Sequence, residues 1–284
     1  MTYWLNGDFK EDTIAVDITD RGFLLGDGLF ETLLVIDGAS VFLSQHLQRL
    51  RDGLSALGFH APLGGLNVGQ IINKLAVDNN VAEGEASARI TVTRGAGARG
   101  LDYRDNQVAT ILITLGAYAP KQTEQPSRLI IARQRRCEQS LSARWKTLNY
   151  LDNTVARNEA LKAGADDAVM LNGAGRVACA SAANVFAIHD GAVMTPPISE
   201  GALPGIVRAR LLCCARAGGV QITVAPVTVE TLSRSALFLT NSLIGLRAAY
   251  FRTGHDAQAQ EILQSLQSCY AEMIVESLKK QDPS

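Results

Sequence analysis

A chain of 284 residues with 27 Lys and Arg against 28 Asp and Glu carries a formal charge of −1, and 47% of it is apolar. That is enough apolar chain for a sizeable core, in one large domain or two medium ones. There is no basic block of the kind that binds nucleic acid, and the longest apolar runs are too short to span a bilayer.

The start, Met1–Asn6, lacks a basic stretch followed by an apolar run, so no signal peptide is expected. Thr2–Leu5 and Thr13–Val16 read as short strands. Phe30–Ile36, Asp37-Gly38 and Ala39–Leu43 form a hairpin pattern, because Asp-Gly suits a tight two-residue turn. Leu47, Leu50, Leu54 and Leu57 recur at helical spacing, with Gly58 placed to stop the helix. His46 lies near the start of that helix as a capping or packing residue. Leu66–Val77 predicts a second helix, and Ala88–Thr93 and Val108–Leu115 predict strands. The polar, proline-bracketed segment 119–126 reads as a linker. It divides an N-terminal domain, 1–118, from a C-terminal domain, 127–284.

The second half restarts with strand Leu129–Ala132 and helix Tyr150–Ala163. Turns follow at Asn172-Gly173 and Asp190-Gly191. Helix Pro204–Ala217 opens with proline, whose fixed φ and missing donor suit a first turn. Strands Ile222–Ala225 and Ala236–Thr240 precede a last helix, Ala257–Leu278. Short strands mixed with helices argue for an α+β fold or an irregular barrel, and no clean βαβ series supports a Rossmann fold. Five cysteines without CxxC spacing point to reduced thiols and a cytoplasmic setting rather than a disulfide framework. The four histidines have no metal-ligand spacing, so no metal site is expected.

Chemistry concentrates between residues 144 and 208. Among seven lysines, Lys146 lies in Arg144-Trp145-Lys146-Thr147-Leu148-Asn149-Tyr150, just before a helix. A lysine among apolar neighbours can serve as an amine nucleophile, or simply pack its stem and expose its head. Further on come Val177-Ala178-Cys179-Ala180-Ser181-Ala182-Ala183-Asn184-Val185-Phe186 and Gly201-Ala202-Leu203-Pro204-Gly205-Ile206-Val207-Arg208. The second opens a helix, whose N-terminal N–H groups and dipole favour a phosphate.

As a set, these stretches resemble the class IV, fold type IV pyridoxal-phosphate enzymes, which include branched-chain and D-amino acid aminotransferases and aminodeoxychorismate lyase. The resemblance runs from Asn6 to about Ala249. It implies a two-domain α+β fold: an N-terminal α/β sandwich-like domain and a C-terminal pseudo-barrel with helices. It implies a homodimer acting on a small amino substrate, with pyridoxal 5′-phosphate as cofactor. Lys146 becomes the Schiff-base lysine and proton shuttle. Arg49, the backbone of Gly205, Ile206 and Val207, and Ser242 become phosphate contacts. Tyr150 is implied near the ring oxygen, and Phe30 (in Gly26-Asp27-Gly28-Leu29-Phe30-Glu31) against the substrate pocket. The loop Arg94-Gly95-Ala96-Gly97-Ala98-Arg99-Gly100 resembles that of aminodeoxychorismate lyases. Arg94 and Arg99 are its candidates for a substrate carboxylate, since guanidinium groups match carboxylates in bidentate fashion. Leu101 departs from the D-amino acid pattern, which has histidine there.

Cys179 is the other departure, standing where the family has the glutamate that faces the ring nitrogen. A neutral thiol cannot hold a proton on that nitrogen as a carboxylate does. The expectation is an elimination, as in aminodeoxychorismate lyase. The alternatives are transamination of branched-chain or D-amino acids, and a cofactor-binding homologue with impaired catalysis.

Overall fold

The computed structural model describes residues 1–11, 13–104, 107–119, 125–218, 220–252 and 254–280, leaving aside the side chains of 215–218. Two compact units emerge. One holds Met1–Pro120, Lys146–Asn149 and Glu276–Ser284, the other Lys121–Trp145 and Tyr150–Val275. The expected linker, 119–126, falls mainly outside the described residues.

The first unit contains β1 (Tyr3–Leu5), β2 (Asp8–Lys10), α1 (Arg21–Leu25), β3 (Gly28–Ile36) and β4 (Ala39–Ser40). It continues with α2 (Leu43–Ala56), α3 (Val68–Asp78), β5 (Glu85–Thr93) and β6 (Thr110–Ala117). The strands form an antiparallel sheet in the order β2-β1-β6-β5-β3-β4. The expected strand at Thr13–Val16 is absent. Its place beside β1 is taken by β2, reached through Asn6 and Gly7, both at positive φ. Asp37 and Gly38 adopt the predicted turn, at φ 48° and 78°. In β6, Ile111, Ile113 and Leu115 alternate inward with period two. Leu47, Leu50 and Leu54 of α2 and Ile72, Leu75 and Ala76 of α3 are buried as the helical spacing requires. Leu50 is 2% exposed, so truncation to alanine would cost about 2–5 kcal/mol.

The second unit contains β7 (Ser127–Ile131), α4 (Leu141–Arg144), α5 (Leu151–Lys162), β8 (Asp167–Leu171), β9 (Val177–Ala180), β10 (Asn184–His189) and β11 (Ala192–Thr195). Then come α6 (Ile206–Gly218), β12 (Ile222–Val224), α7 (Val229–Arg234), β13 (Ala236–Asn241), β14 (Gly245–Tyr250) and α8 (Ala257–Lys279). Its sheet runs β12-β11-β10-β13-β14-β7-β8-β9. β9 turns straight back into β10, with the Ala180 N–H on the Ala183 carbonyl at 2.8 Å, so the sheet curls on itself. In β8, Val169 and Leu171 pack into one apolar cluster, and Ala168 and Met170 into another beneath α5. Ala156 and Ala160, one turn apart on α5, are small enough to let helix and sheet approach closely. A bulge interrupts the β8–β9 register: Met170 pairs with Cys179 and Leu171 with Val177, leaving Ala178 over. A bulge re-aims side chains, and here Ala178 and Cys179 both enter the α5 cluster.

One expectation fails. Cys214 of α6 and Cys269 of α8 form a disulfide, with Cα atoms 6.6 Å apart. The pair is 55 residues apart in sequence, and only packing brings the two helices together. Cys137, Cys179 and Cys213 are free thiols.

Candidate active site

The glycines of Gly26-Asp27-Gly28 have separate reasons. Gly26 ends α1 in the left-handed region, at φ 67°, where glycine is unstrained. A Cβ on Gly28 would run into the Leu148 side chain and the Val92 carbonyl. That close approach lets the Lys146–Asn149 segment lie along β3. The Phe30 N–H donates to the Lys146 carbonyl and the Leu148 N–H to the Gly28 carbonyl, each at 2.9 Å. Lys146 is thus fixed by β-type pairing in the first unit, with Nζ 4.1 Å from the Phe30 ring centroid.

Behind Phe30 the same strand carries Glu31, which is 1% exposed. Both its oxygens are engaged: Arg49 donates Nε to Oε1 at 2.7 Å and Nη2 to Oε2 at 2.6 Å, while His46 Nδ1 meets Oε2 at 2.7 Å. His46 and Arg49 are three residues apart on α2 and share a face. Burial alone would raise the Glu31 pKa, but the hydrogen bonds and charges of His46 and Arg49 outweigh it and hold the carboxyl at about 2. Burial lowers the His46 pKa. A neutral imidazole donating its Nδ1–H to an ionised carboxylate satisfies both groups. Sequence reasoning took His46 as a capping or packing residue and did not single out Glu31. A glutamate in a buried strand opposite His and Arg on one helical face was the available signal.

Arg94 works inside the scaffold. Its Nε donates to Asp27 Oδ2, Nη1 to the Gly58 carbonyl and Nη2 to the Leu57 carbonyl, each at 2.9 Å. Its guanidinium stacks 3.7 Å from the Tyr103 ring centroid and 4.0 Å from that of Phe59. The buried Arg21 shares Asp27 Oδ2 and also donates to the carbonyls of Gly100 and Leu101. Two guanidinium groups on one carboxylate therefore hold the 94–102 loop, and Arg99 stands exposed on it.

In the second unit, α6 begins after Leu203-Pro204-Gly205. The Gly205 N–H turns back to the Leu203 carbonyl at 2.8 Å, and its own carbonyl accepts from Ala209. The amides of Ile206 and Val207 lie in the first turn, where no intrahelical acceptor exists. A Cβ on Gly205 would collide with Asn184 Oδ1, so the backbone here is as close to its neighbours as it can be. The result is an open set of N–H donors at the positive end of a 13-residue helix.

Cys179 is 5% exposed, and burial raises its thiol pKa, opposed by the Arg136 charge. It is a neutral thiol. Tyr150, Asn153, Ser181, Asn241 and Asp167 line a cavity of about 440 Å³ in this unit. Ser242 follows Asn241, whose Oδ1 accepts the N–H groups of Leu243 and Ile244, each at 2.9 Å. Ser242 therefore sits in a turn built by its neighbour. Among the described residues no cluster of metal-ligating side chains occurs, and no helix is long and apolar enough to cross a membrane.

The family profile described as amino-transferase class IV covers residues 28–249. A Methanocaldococcus jannaschii protein provisionally named a branched-chain-amino-acid aminotransferase is 32% identical over 85% of this chain and 84% of its own length. The aminodeoxychorismate lyase of Bacillus subtilis is 25% identical over 95% of this chain and 94% of its own. The crystal structure of 4-amino-4-deoxychorismate lyase from Pseudomonas aeruginosa superposes with a TM-score of 0.82 at 29% identity, covering 95% of this chain and 98% of that one.

Proposed function

This chain belongs to the class IV amino-transferase family of enzymes, and on that premise we propose that it binds pyridoxal 5′-phosphate and eliminates pyruvate from aminodeoxychorismate, leaving 4-aminobenzoate. The family implies the cofactor, and the chain's own residues fit two of its groups. A half-buried amine, Lys146, stands at the family's lysine position for the aldehyde. First-turn amides at Ile206 and Val207, which have no intrahelical acceptor, lie beside a Gly205 that admits no side chain and suit the phosphate.

When bound, the cofactor supplies an electrophilic carbon and a ring that takes up charge from the substrate Cα. Lys146 would hold it through Nζ and then move the proton at Cα. Phe30 covers one side of that amine. Arg49, the implied phosphate-binding arginine, is aimed by Glu31, which grips two of its nitrogens. Arg99 remains for a substrate carboxylate, since Arg94 is committed to Asp27 and two carbonyls.

Cys179 carries the choice of reaction. A buried, neutral thiol at the family's glutamate position cannot keep the ring nitrogen protonated. Elimination expels its leaving group early and depends less on that proton than transamination does. The test is twofold. Borohydride reduction with peptide mapping should place the pyridoxyl group on Lys146. Pyruvate release from aminodeoxychorismate should then exceed glutamate-coupled exchange on branched-chain or D-amino acids. An adduct on another residue, or faster exchange than release, would sink the reading. The aminotransferase alternative has one observation in its favour, the 32% identity of the archaeal relative. Cys179→Glu separates the two, because it should raise exchange if the thiol is what suppresses it.

We also propose a homodimer, on the strength of Ile18, Phe23 and Leu24, which are 78%, 72% and 54% exposed in the first unit. Light scattering that returned the mass of one chain would reject it.

A further inference from the structure

We propose that Arg208, together with Arg136, is a positioning residue for the anion bound at the N-terminus of α6: a buried cation that ties down the preceding loop and supplies charge that the bound phosphate neutralises. The proposal rests on the reading of that helix end as the phosphate site.

The observation is a pair of buried guanidinium groups without carboxylates. Arg208, in the first turn of α6, is 5% exposed. Its Nη2 donates to the Pro196 carbonyl at 3.0 Å, while its Nε is buried with no hydrogen-bond partner. Arg136 is 8% exposed and donates to the Gly201 carbonyl, Asn153 Oδ1 and the Ser142 carbonyl. Among the described residues neither has a carboxylate at ion-pair distance, whereas the buried arginines 21 and 94 share Asp27. Burying a cation without a counter-charge costs several kcal/mol. Two such cations beside one loop call for an anion that is not part of the chain.

The loop itself points the same way. Four carbonyls between Pro196 and Gly205 are held by side-chain donors: Pro196 by Arg208, Glu200 by Asn172, Gly201 by Arg136 and Leu203 by Asn184. Each engaged carbonyl is a dipole whose negative end is occupied. The amides of Ile206 and Val207 are what the loop end leaves for a ligand, in a place where Arg208 adds positive potential.

The experiment titrates the full-length apo chain with pyridoxal phosphate, with pyridoxal and with inorganic phosphate. Arg208→Met should weaken pyridoxal phosphate and inorganic phosphate about tenfold, or about 1.4 kcal/mol, and leave pyridoxal within twofold. Arg208→Lys should recover most of that loss. Equal losses for pyridoxal and its phosphate, or no loss for either, would overturn the role. Should Arg208→Met fail to fold, the uncharged Arg208→Gln decides in its place. Its bound cofactor should show a shifted ³¹P resonance and a loss of affinity confined to the phosphorylated form, and an unchanged resonance and affinity would overturn it. A wild type that holds pyridoxal as tightly as its phosphate would instead reject the phosphate site itself, and this inference with it.

Discussion

Buried arginines are treated differently in the two units. In the first, Arg21 and Arg94 share Asp27, and the buried Glu31 is met by the partly exposed Arg49. In the second, Arg136 and Arg208 face only carbonyls and an amide oxygen. A buried charge with its counter-charge built in serves the fold, because removing either partner strands the other. A buried charge without one reads as a place kept for something that arrives later. The first arrangement holds Arg49 and the 94–102 loop at fixed positions, and the second keeps positive charge at the start of α6.

The largest effect should come from breaking the closed cluster. Glu31→Gln leaves Arg49 without its carboxylate, and urea unfolding should show a loss of about 3–5 kcal/mol. A loss below about 1 kcal/mol would mean that Glu31 is not the centre of that cluster. The second unit has ion pairs of its own, Arg176–Glu200 and Arg157–Asp167, and adds a covalent link between two helices. Cys214→Ser opens a loop of 55 residues and should cost about 2–4 kcal/mol under oxidising conditions. Adding reductant to the wild type should reproduce that loss, and a variant as stable as the oxidised wild type would show that the bond contributes nothing.

The pH dependence separates the partners within the closed cluster. The folded pKa of His46 lies below its ordinary 6.5. The unfolded chain therefore takes up a proton that the folded one resists, and stability falls as pH drops below 6.5, by at most about 1.4 kcal/mol per pH unit. Glu31 is depressed from 4.5 to about 2. Its contribution is whole above 4.5 and is lost as pH falls from there towards 2. His46→Gln should abolish the upper of these two losses and keep the lower one. A variant whose stability still declined between pH 6.5 and 5 would assign that decline to another group.

How much of this was legible follows the range of the interactions. The turns at Asp37-Gly38 and Asp190-Gly191, and helices α2, α3, α5 and α8, were readable because period and turn chemistry act within a few residues. The false strand at Thr13–Val16 had a suitable local composition, but the neighbour of β1 is set by the Asn6-Gly7 turn. The pairing of Lys146–Leu148 with β3 and the Cys214–Cys269 bond join distant positions, which no local pattern encodes. Lys146, Ile206 and Val207 enter the proposed site through the resemblance and not through any local pattern. Glu31, Arg136 and Arg208 escaped, because from sequence a buried charge looks like a surface one.

The smallest expected effect tests the open arrangement most directly. Without any phosphate, Arg208→Met removes a buried cation that has no carboxylate partner and one carbonyl contact. The lost hydrogen bond is worth about 1 kcal/mol, and relief from burying the charge offsets it. Apo stability should therefore fall by no more than about 1 kcal/mol, against the several lost with Glu31→Gln. Thermal unfolding with rising inorganic phosphate should then separate the proteins. The wild type should gain stability as the anion binds the folded state, and the variant should gain less at every concentration. If Arg208→Met instead unfolds the apo chain as readily as Glu31→Gln does, Arg208 belongs with Arg49 as part of the scaffold, and the contrast between the two units disappears.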